Sequence, residues 1–130
     1  MTIKSLIEFI DHHTNNGTIY SHKLRNEDIG IKEEGIALVH AFSGRDWLAL
    51  RSLNLKERSD FWVECLIDIL DAAYTEEARQ IIIHIALTGT EKNFFKAMEC
   101  IRDFRRLVDI YTWLKLKNRA SEISKSKLNQ

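Results

Sequence analysis

Carboxylate side chains recur along one predicted helix, and their type and spacing suit the binding of positive charge. From residue 57 to residue 71 they fall within an arc of roughly 80° when the sequence is wound at the α-helical period, and no lysine is interleaved with them. Two further glutamates follow at the start of the next predicted helix. We call these seven residues the acidic ridge: Glu57, Asp60, Glu64, Asp68, Asp71, Glu76 and Glu77.

Two interpretations of the acidic ridge are open. Like charges one helical turn apart cost roughly 0.2–0.5 kcal/mol per pair, so the ridge acts slightly against its own helix. It is either a solvated face, neutralised by Arg51, Arg58, Arg79 or the basic C-terminal segment, or a surface for a basic partner. In the second case the charge speeds association and selects the partner. An acidic surface disfavours DNA or RNA as its ligand.

Catalytic arrangements are missing from the sequence. Acid–base catalysis by two carboxylates needs a pocket that separates their pKa values, and we expect the ridge to lie on an exposed helix without such a pocket. The chain has no Walker loop, G-x-S-x-G or G-x-G-x-x-G motif. Cys65 and Cys100 have apolar neighbours, which predict inert thiols. We therefore expect no enzyme, no catalytic residue and no cofactor.

The histidines give no convincing metal site. His12 and His13, with Asp11 and His22 nearby, are the densest group of ligand-type residues. Adjacent histidines on a helix point about 100° apart, whereas a helical zinc pair needs i, i+4 spacing. We expect no bound metal.

Composition predicts an all-α protein. The chain has 130 residues, no proline, five glycines and 45% hydrophobic residues, which fits one helical domain over 1–120 with a polar, fraying tail over 121–130. No apolar run approaches the ~20 residues that a bilayer requires, so we expect no membrane partner. Two cysteines in apolar settings favour free thiols and a cytoplasmic location.

Capping signals place most of the predicted helices. Ser43 and Asp46 form a capping box, and Thr75 and Thr90 are N-cap residues. A loop with one short helix is expected over 18–33. The predicted helices are one that ends near Asn15, one from 35 to 42, one from Ser43 through Leu53, and four over about 56–73, 76–88, 91–104 and 106–117.

The predicted helix over 76–88 is apolar on two sides. One broad face carries isoleucine and alanine, whereas Ile83 and Leu87 point nearly the opposite way. A helix of this kind packs between neighbours. His84 shares the narrow polar side, so we expect it at an edge of the core.

A weak internal repeat suggests how the helices are arranged. A shift of 32 residues, from Trp62 to Phe94, superposes four apolar pairs: Trp62 on Phe94, Cys65 on Ala97, Leu66 on Met98 and Ile69 on Ile101. This period predicts stacked antiparallel helix pairs, a short α-solenoid. An irregular helical bundle explains the same pattern.

The C-terminal end is basic. Residues 102–130 hold 8 Lys/Arg against 3 Asp/Glu, and residues 1–101 hold 11 against 16. With Tyr111 and Trp113, this end could bind nucleic acid. However, Leu107, Ile110, Tyr111 and Leu114 form a stripe at helical spacing that we expect to pack into the core. Nucleic-acid binding is therefore the less favoured alternative.

Residues 47–104 resemble HEAT-type helix pairs. In particular they resemble the small helical immunity proteins of bacterial contact-dependent growth inhibition and related polymorphic toxin systems. The stretch that carries the resemblance includes LNLKERSDFWVECLIDILDAAYTEEARQIIIHIALTGTEKNFFKAMECIRDF. The resemblance implies a cytoplasmic protein that binds one cognate toxin domain, often a nuclease, and occludes its active site. The acidic ridge would supply the acidic surface that such inhibitors present to basic clefts.

The expected function is therefore inhibition of a basic toxin domain through the acidic ridge. Trp47 or Trp62 could anchor the interface if exposed, although Trp62 lies on the apolar side of its helix and is expected in the core. A helical adaptor or self-associating structural protein is the alternative, and a nucleic-acid-binding regulator is the third possibility. The sequence does not define the oligomeric state.

Overall fold

A computed structural model describes residues 2–15 and 29–128, and this part of the chain is helical and without strands. It confirms the all-α prediction. Two 3-10 turns, Leu55–Glu57 and Arg105–Leu107, stand before the fourth and seventh helices. The α-helices of the described part are α1 (Thr2–Asn15), α2 (Ile29–His40), α3 (Gly44–Ser52), α4 (Asp60–Ala73), α5 (Glu76–Thr88), α6 (Glu91–Asp103) and α7 (Ile110–Leu128).

Three helix starts are where the sequence predicted them, after Ser43, Thr75 and Thr90; α4 begins at Asp60 after an N-cap at Ser59, and not near 56. The Ser43 hydroxyl accepts from the Asp46 amide, and the Asp46 carboxylate accepts from the Ser43 amide at 2.9 Å, which confirms the capping box of α3. Thr75 and Thr90 accept from backbone amides in the first turns of α5 and α6. Most of the predicted loop and short helix over 18–33 lies outside the described residues.

Helix α4 lies at the centre of the fold. It packs against α1, α2, α5 and α6, and nine of its 14 residues are buried. Gly35 of α2 permits the close approach of α2, because a Cβ there would lie 2.8 Å from Ile69 Cδ1 and 3.2 Å from Phe9 Cε2. A residue without a side chain is therefore required where α1, α2 and α4 meet.

Helix α5 is packed on two sides, as its sequence predicts. It contacts α3, α4, α6 and α7. Ile81, Ile82 and Ile83 are 3%, 0% and 6% exposed, although Ile83 points away from the other two. His84 is partly exposed at the edge of the core. The consecutive isoleucines thus join two layers of helices.

The eight residues superposed by the internal repeat are all buried, four in α4 and four in α6. The repeat therefore marks equivalent core-facing positions in two helices. The contacts of α4 with α6 and of α5 with α7 are compatible with both the solenoid and the bundle arrangement.

Helix α7 is longer than the sequence predicts. It continues to Leu128, so the expectation of a frayed tail is wrong for residues 121–128. Lys127 forms an ion pair with Glu91 at 2.6 Å, and Ile123 packs against the core. These contacts stabilise the helix over residues 121–128, although the composition of this segment is polar. Within residues 2–15 and 29–128, no helix has both the length and the apolar character to cross a bilayer.

The apolar stripe predicted to bury α7 is exposed, which corrects the sequence interpretation. Leu107, Ile110, Tyr111 and Leu114 are 55%, 68%, 77% and 51% exposed. A second stripe packs against the core instead, formed by Trp113, Leu116, Ala120 and Ile123. The predicted helix ended near 117, so it did not include the last two residues of this second stripe.

Cys65 and Cys100 are buried free thiols, as predicted. Burial raises the pKa of each to about 12. Because the thiolate is the reactive form, neither cysteine is poised as a nucleophile.

Candidate functional site

The acidic-ridge residues within α4 are buried or half-buried, and none of them is fully exposed to solvent. Glu64 is 7% exposed, and Asp60, Asp68 and Asp71 are partly buried. Glu57 belongs to the 3-10 turn before α4. The prediction of one exposed acidic helix over 57–71 is therefore wrong. The physical reason is that α4 packs against four other helices, which leaves little of its circumference to solvent.

Side chains of α6 meet these carboxylates in order along α4. The Thr90 hydroxyl donates to Asp60 Oδ1 at 2.9 Å. Lys96 Nζ lies 2.9 Å from Asp68 Oδ1, and the two side chains are only 13% and 18% exposed. Since Thr90 also caps α6, the contact with Asp60 fixes the start of that helix beside α4. Two of the seven ridge residues thus join α4 to α6 and its cap.

Of the three arginines expected to neutralise the ridge, Arg51 lines a cavity together with Glu76 and Glu77, whereas the other two bind elsewhere. Arg58 pairs with Asp11 of α1 at 3.4 Å. Arg79 donates to the Tyr74 carbonyl at 3.3 Å and lies over its ring. The cation that pairs with Asp68 is Lys96, a residue that the sequence did not single out, and Lys32 acts on Asp71.

An acidic cleft lies beside the Asp68–Lys96 pair. This cavity of about 280 Å³ is lined by Lys32, Asp68, Asp71, Lys96, Glu99, Cys100 and Asp103. Burial raises the pKa of Asp68, against the opposing effect of Lys96. Burial and the nearby Asp103 raise the pKa of Asp71. Asp68 and Asp71 thus line a cavity, unlike the exposed ridge that the sequence predicted, but both pKa values shift in the same direction and are not separated into an acid and a base.

We expect Asp71→Asn to stabilise the protein at neutral pH. The folded-state pKa of Asp71 is above its ordinary value of 3.8, so the folded protein binds this proton more readily than the unfolded chain does. The stabilisation that protonation provides is present below pH 3.8 and is lost as the pH rises through the raised pKa. The advantage of the variant should therefore be largest at about pH 7 and shrink towards about pH 4. Urea unfolding across this range measures it, and an advantage that grows on acidification would contradict the assignment.

Glu57, Glu76 and Glu77 are the exposed members of the ridge. Glu76 and Glu77 stand beside a cavity of about 420 Å³ between α3 and α5, which we call the α3–α5 groove. It is lined by Gly44, Trp47, Leu48, Arg51, Glu76, Glu77, Gln80 and Ile81.

The α3–α5 groove combines apolar and acidic surface. Leu48 is 67% exposed, and Ile81 is 3% exposed at the edge of the core. Trp47 is partly buried, and its ring packs edge-to-face against Phe42 with centroids 5.0 Å apart. The glutamates occupy the first turn of α5, where the helix dipole favours negative charge. The groove can therefore hold an apolar side chain and a neighbouring cation together.

Sequence reasoning named Trp47, Glu76 and Glu77 separately and did not bring them together. It missed Leu48, because one exposed leucine in a helix has no distinguishing local signal. It also missed Asp103 of the acidic cleft. The sequence did contain a signal for Asp103, because the 32-residue shift that superposes Trp62 on Phe94 also superposes Asp71 on Asp103.

No group of three or more histidine, cysteine or acidic side chains in the described ranges is arranged to hold a metal ion. The rings of His12 and His13 lie 5.0 Å apart in an edge contact. His22, the third histidine considered, lies outside the described ranges.

The acidic cleft and the α3–α5 groove each gather acidic residues of the ridge with other side chains. No protein-family model, curated protein or solved structure matches this chain.

Proposed function

We propose that this protein is a non-catalytic inhibitor that binds a basic protein partner at the α3–α5 groove. In line with the resemblance of residues 47–104, the partner is a toxin domain of a bacterial polymorphic toxin system, and the chain is its cytoplasmic immunity protein. The inhibitor occludes the active site of that domain and needs no cofactor.

One observation carries the proposal: Glu76 and Glu77 are exposed acids that adjoin exposed apolar surface. Neither forms an ion pair with another residue of the described part of the chain, and Leu48 beside them is 67% exposed. Protein interfaces combine a desolvated apolar centre with a polar rim, and rim charges speed the encounter with an oppositely charged partner. The groove has both components.

The choice of variant follows from where the ridge residues lie. Reversing the charge of Glu64 or Asp68 would disrupt the contact of α4 with α6, so it would report on folding and not on binding. Glu76→Lys/Glu77→Lys, the groove variant, changes two exposed side chains. Glu33→Lys/Glu34→Lys makes the same change of charge on two exposed glutamates of α2 and is the matched control.

The proposal predicts that a toxin domain is encoded beside this protein, and the test uses that domain. We expect wild-type protein and the control variant to restore growth when co-expressed with the toxin domain. We expect the groove variant to bind about 10- to 100-fold more weakly, which corresponds to about 1.4–2.8 kcal/mol, and to protect poorly. Calorimetry with the purified toxin domain gives the affinities, and urea unfolding confirms that the variants are folded. Equal affinity and protection for the wild type and the groove variant would exclude the groove as the binding site.

A further inference from the structure

An exposed apolar strip on α7 has no role in the fold or in the proposed function. It is formed by Leu107 in the 3-10 turn and by Ile110, Tyr111 and Leu114 in α7, with exposed fractions from 51% to 77%. Soluble proteins seldom expose contiguous apolar surface without a use for it. We call these four residues, with Lys115 and Lys117, the α7 ridge.

Positive charge borders this strip on two sides. Lys115 lies one helical turn after Tyr111, and Lys117 lies one turn after Leu114; both lysines are exposed. The neighbouring carboxylate, Asp109, accepts from the Thr112 amide and hydroxyl at 2.9 Å each. Those hydrogen bonds hold the pKa of Asp109 below its ordinary value. The α7 ridge therefore presents a convex apolar surface with cationic borders.

The α3–α5 groove is complementary to the α7 ridge in shape and in charge. The groove is concave, offers Trp47 and Leu48, and carries Glu76 and Glu77. Arg51 also lines it, so the two glutamates leave the groove with an excess of negative charge. We propose that the α7 ridge of one copy of this chain binds in the α3–α5 groove of a second copy. This inference shares the groove with the proposed function, but it concerns the protein in the absence of a partner.

A groove-to-ridge contact joins two different surfaces. Each pair of copies then keeps one unoccupied groove and one unoccupied α7 ridge. Further copies therefore add until a closed ring or an open filament forms. The contact has few apolar side chains and belongs with small, transient interfaces, for which we expect a Kd of about 10–100 µM. A basic protein seated in the groove would displace the neighbouring copy, because both occupy the same surface.

Sedimentation equilibrium of the full chain from about 1 to 500 µM tests the proposal, a range that spans the expected Kd. We expect the average mass to rise with concentration and the rise to weaken in high salt. The groove variant and the ridge variant, Lys115→Glu/Lys117→Glu, should each associate at least about tenfold more weakly. An equal mixture of the two should regain association, because their reversed charges are complementary. Glu33→Lys/Glu34→Lys should associate as the wild type does.

Several outcomes would overturn the proposal. One is a monomeric wild type at the highest concentration. Another is normal association of the groove variant combined with loss of association in the ridge variant. In that case the α7 ridge of one copy would bind the α7 ridge of another, and not the groove. A third is a mixture of two folded variants that stays monomeric. Binding of anionic vesicles or duplex DNA by a monomeric wild type, lost in the ridge variant, would assign the ridge to those ligands instead. Lys115 and Lys117 lie outside the groove, so the ridge variant should keep its calorimetric affinity for the toxin domain while it loses self-association, and the two proposals can fail independently.

Discussion

Replacing Trp62 with alanine is expected to lower the free energy of unfolding by about 3–5 kcal/mol. The side chain is 2% exposed and lies in α4 at the centre of the fold. Its indole N–H donates to Asp11 Oδ1 of α1 at 2.8 Å, and the Arg58 guanidinium lies 4.7 Å from the ring centroid. The substitution therefore removes a large apolar volume from the core and the polar contact that joins α1 to α4.

Two further variants separate packing from hydrogen bonding at this position. Trp62→Phe keeps most of the apolar volume and should lose about 1–2 kcal/mol. Asp11→Ala leaves the buried indole N–H without its acceptor and should lose about 1–3 kcal/mol. Urea unfolding of the three variants gives these free energies. If Trp62→Ala lost no more than Trp62→Phe, Trp62 would not be the core residue described here.

Replacing Lys96 with methionine should lower the free energy of unfolding by about 2–4 kcal/mol at neutral pH. Methionine fills much of the same space but leaves Asp68 without its cation. The remaining acidic neighbours, Asp71 and Glu99, raise the pKa of Asp68 further. We expect a smaller loss of stability than for a fully buried ion pair. The two side chains are 13% and 18% exposed, so solvent screens part of their interaction.

The matched control removes both charges. In Asp68→Leu/Lys96→Met, an apolar pair replaces the ion pair, and we expect at least half of the lost stability to return. Chemical denaturation of the wild type, both single variants and the double variant completes the cycle. A Lys96→Met protein within about 0.5 kcal/mol of the wild type would show that Lys96 does not stabilise the contact of α4 with α6.

The contact of Lys96 with Asp68 also shows that part of the acidic ridge has a structural role. In the sequence, acidic residues one helical turn apart without interleaved lysines suggested a surface for a basic partner. In the fold, α6 supplies the missing lysine and a threonine hydroxyl at the positions where α4 presents Asp68 and Asp60. A like-charged row on a helix can therefore be a structural contact within one chain, and the members of the ridge that stay exposed are Glu57, Glu76 and Glu77.

Features that depend on residues close in the chain were determined by the sequence itself. The capping box of Ser43 with Asp46 and the caps at Thr75 and Thr90 set helix starts, because each hydrogen bond spans only three residues. The two apolar sides of α5 predicted its position between helices, since a helix must bury both sides to remove them from water. The buried thiols of Cys65 and Cys100 follow from the same local pattern.

Only the tertiary structure decided which faces of the other helices are buried. Helical spacing shows which residues share a face, but not which helix that face meets. For that reason the sequence did not predict that the acidic residues of α4 lie towards α6. It also did not predict that α7 buries the stripe containing Leu116 and exposes the stripe containing Leu114. The α3–α5 groove likewise needs Leu48 and Glu76, 28 positions apart, to be brought together by long-range packing. Each of these choices depends on contacts between segments distant in the chain, which local periodicity does not encode.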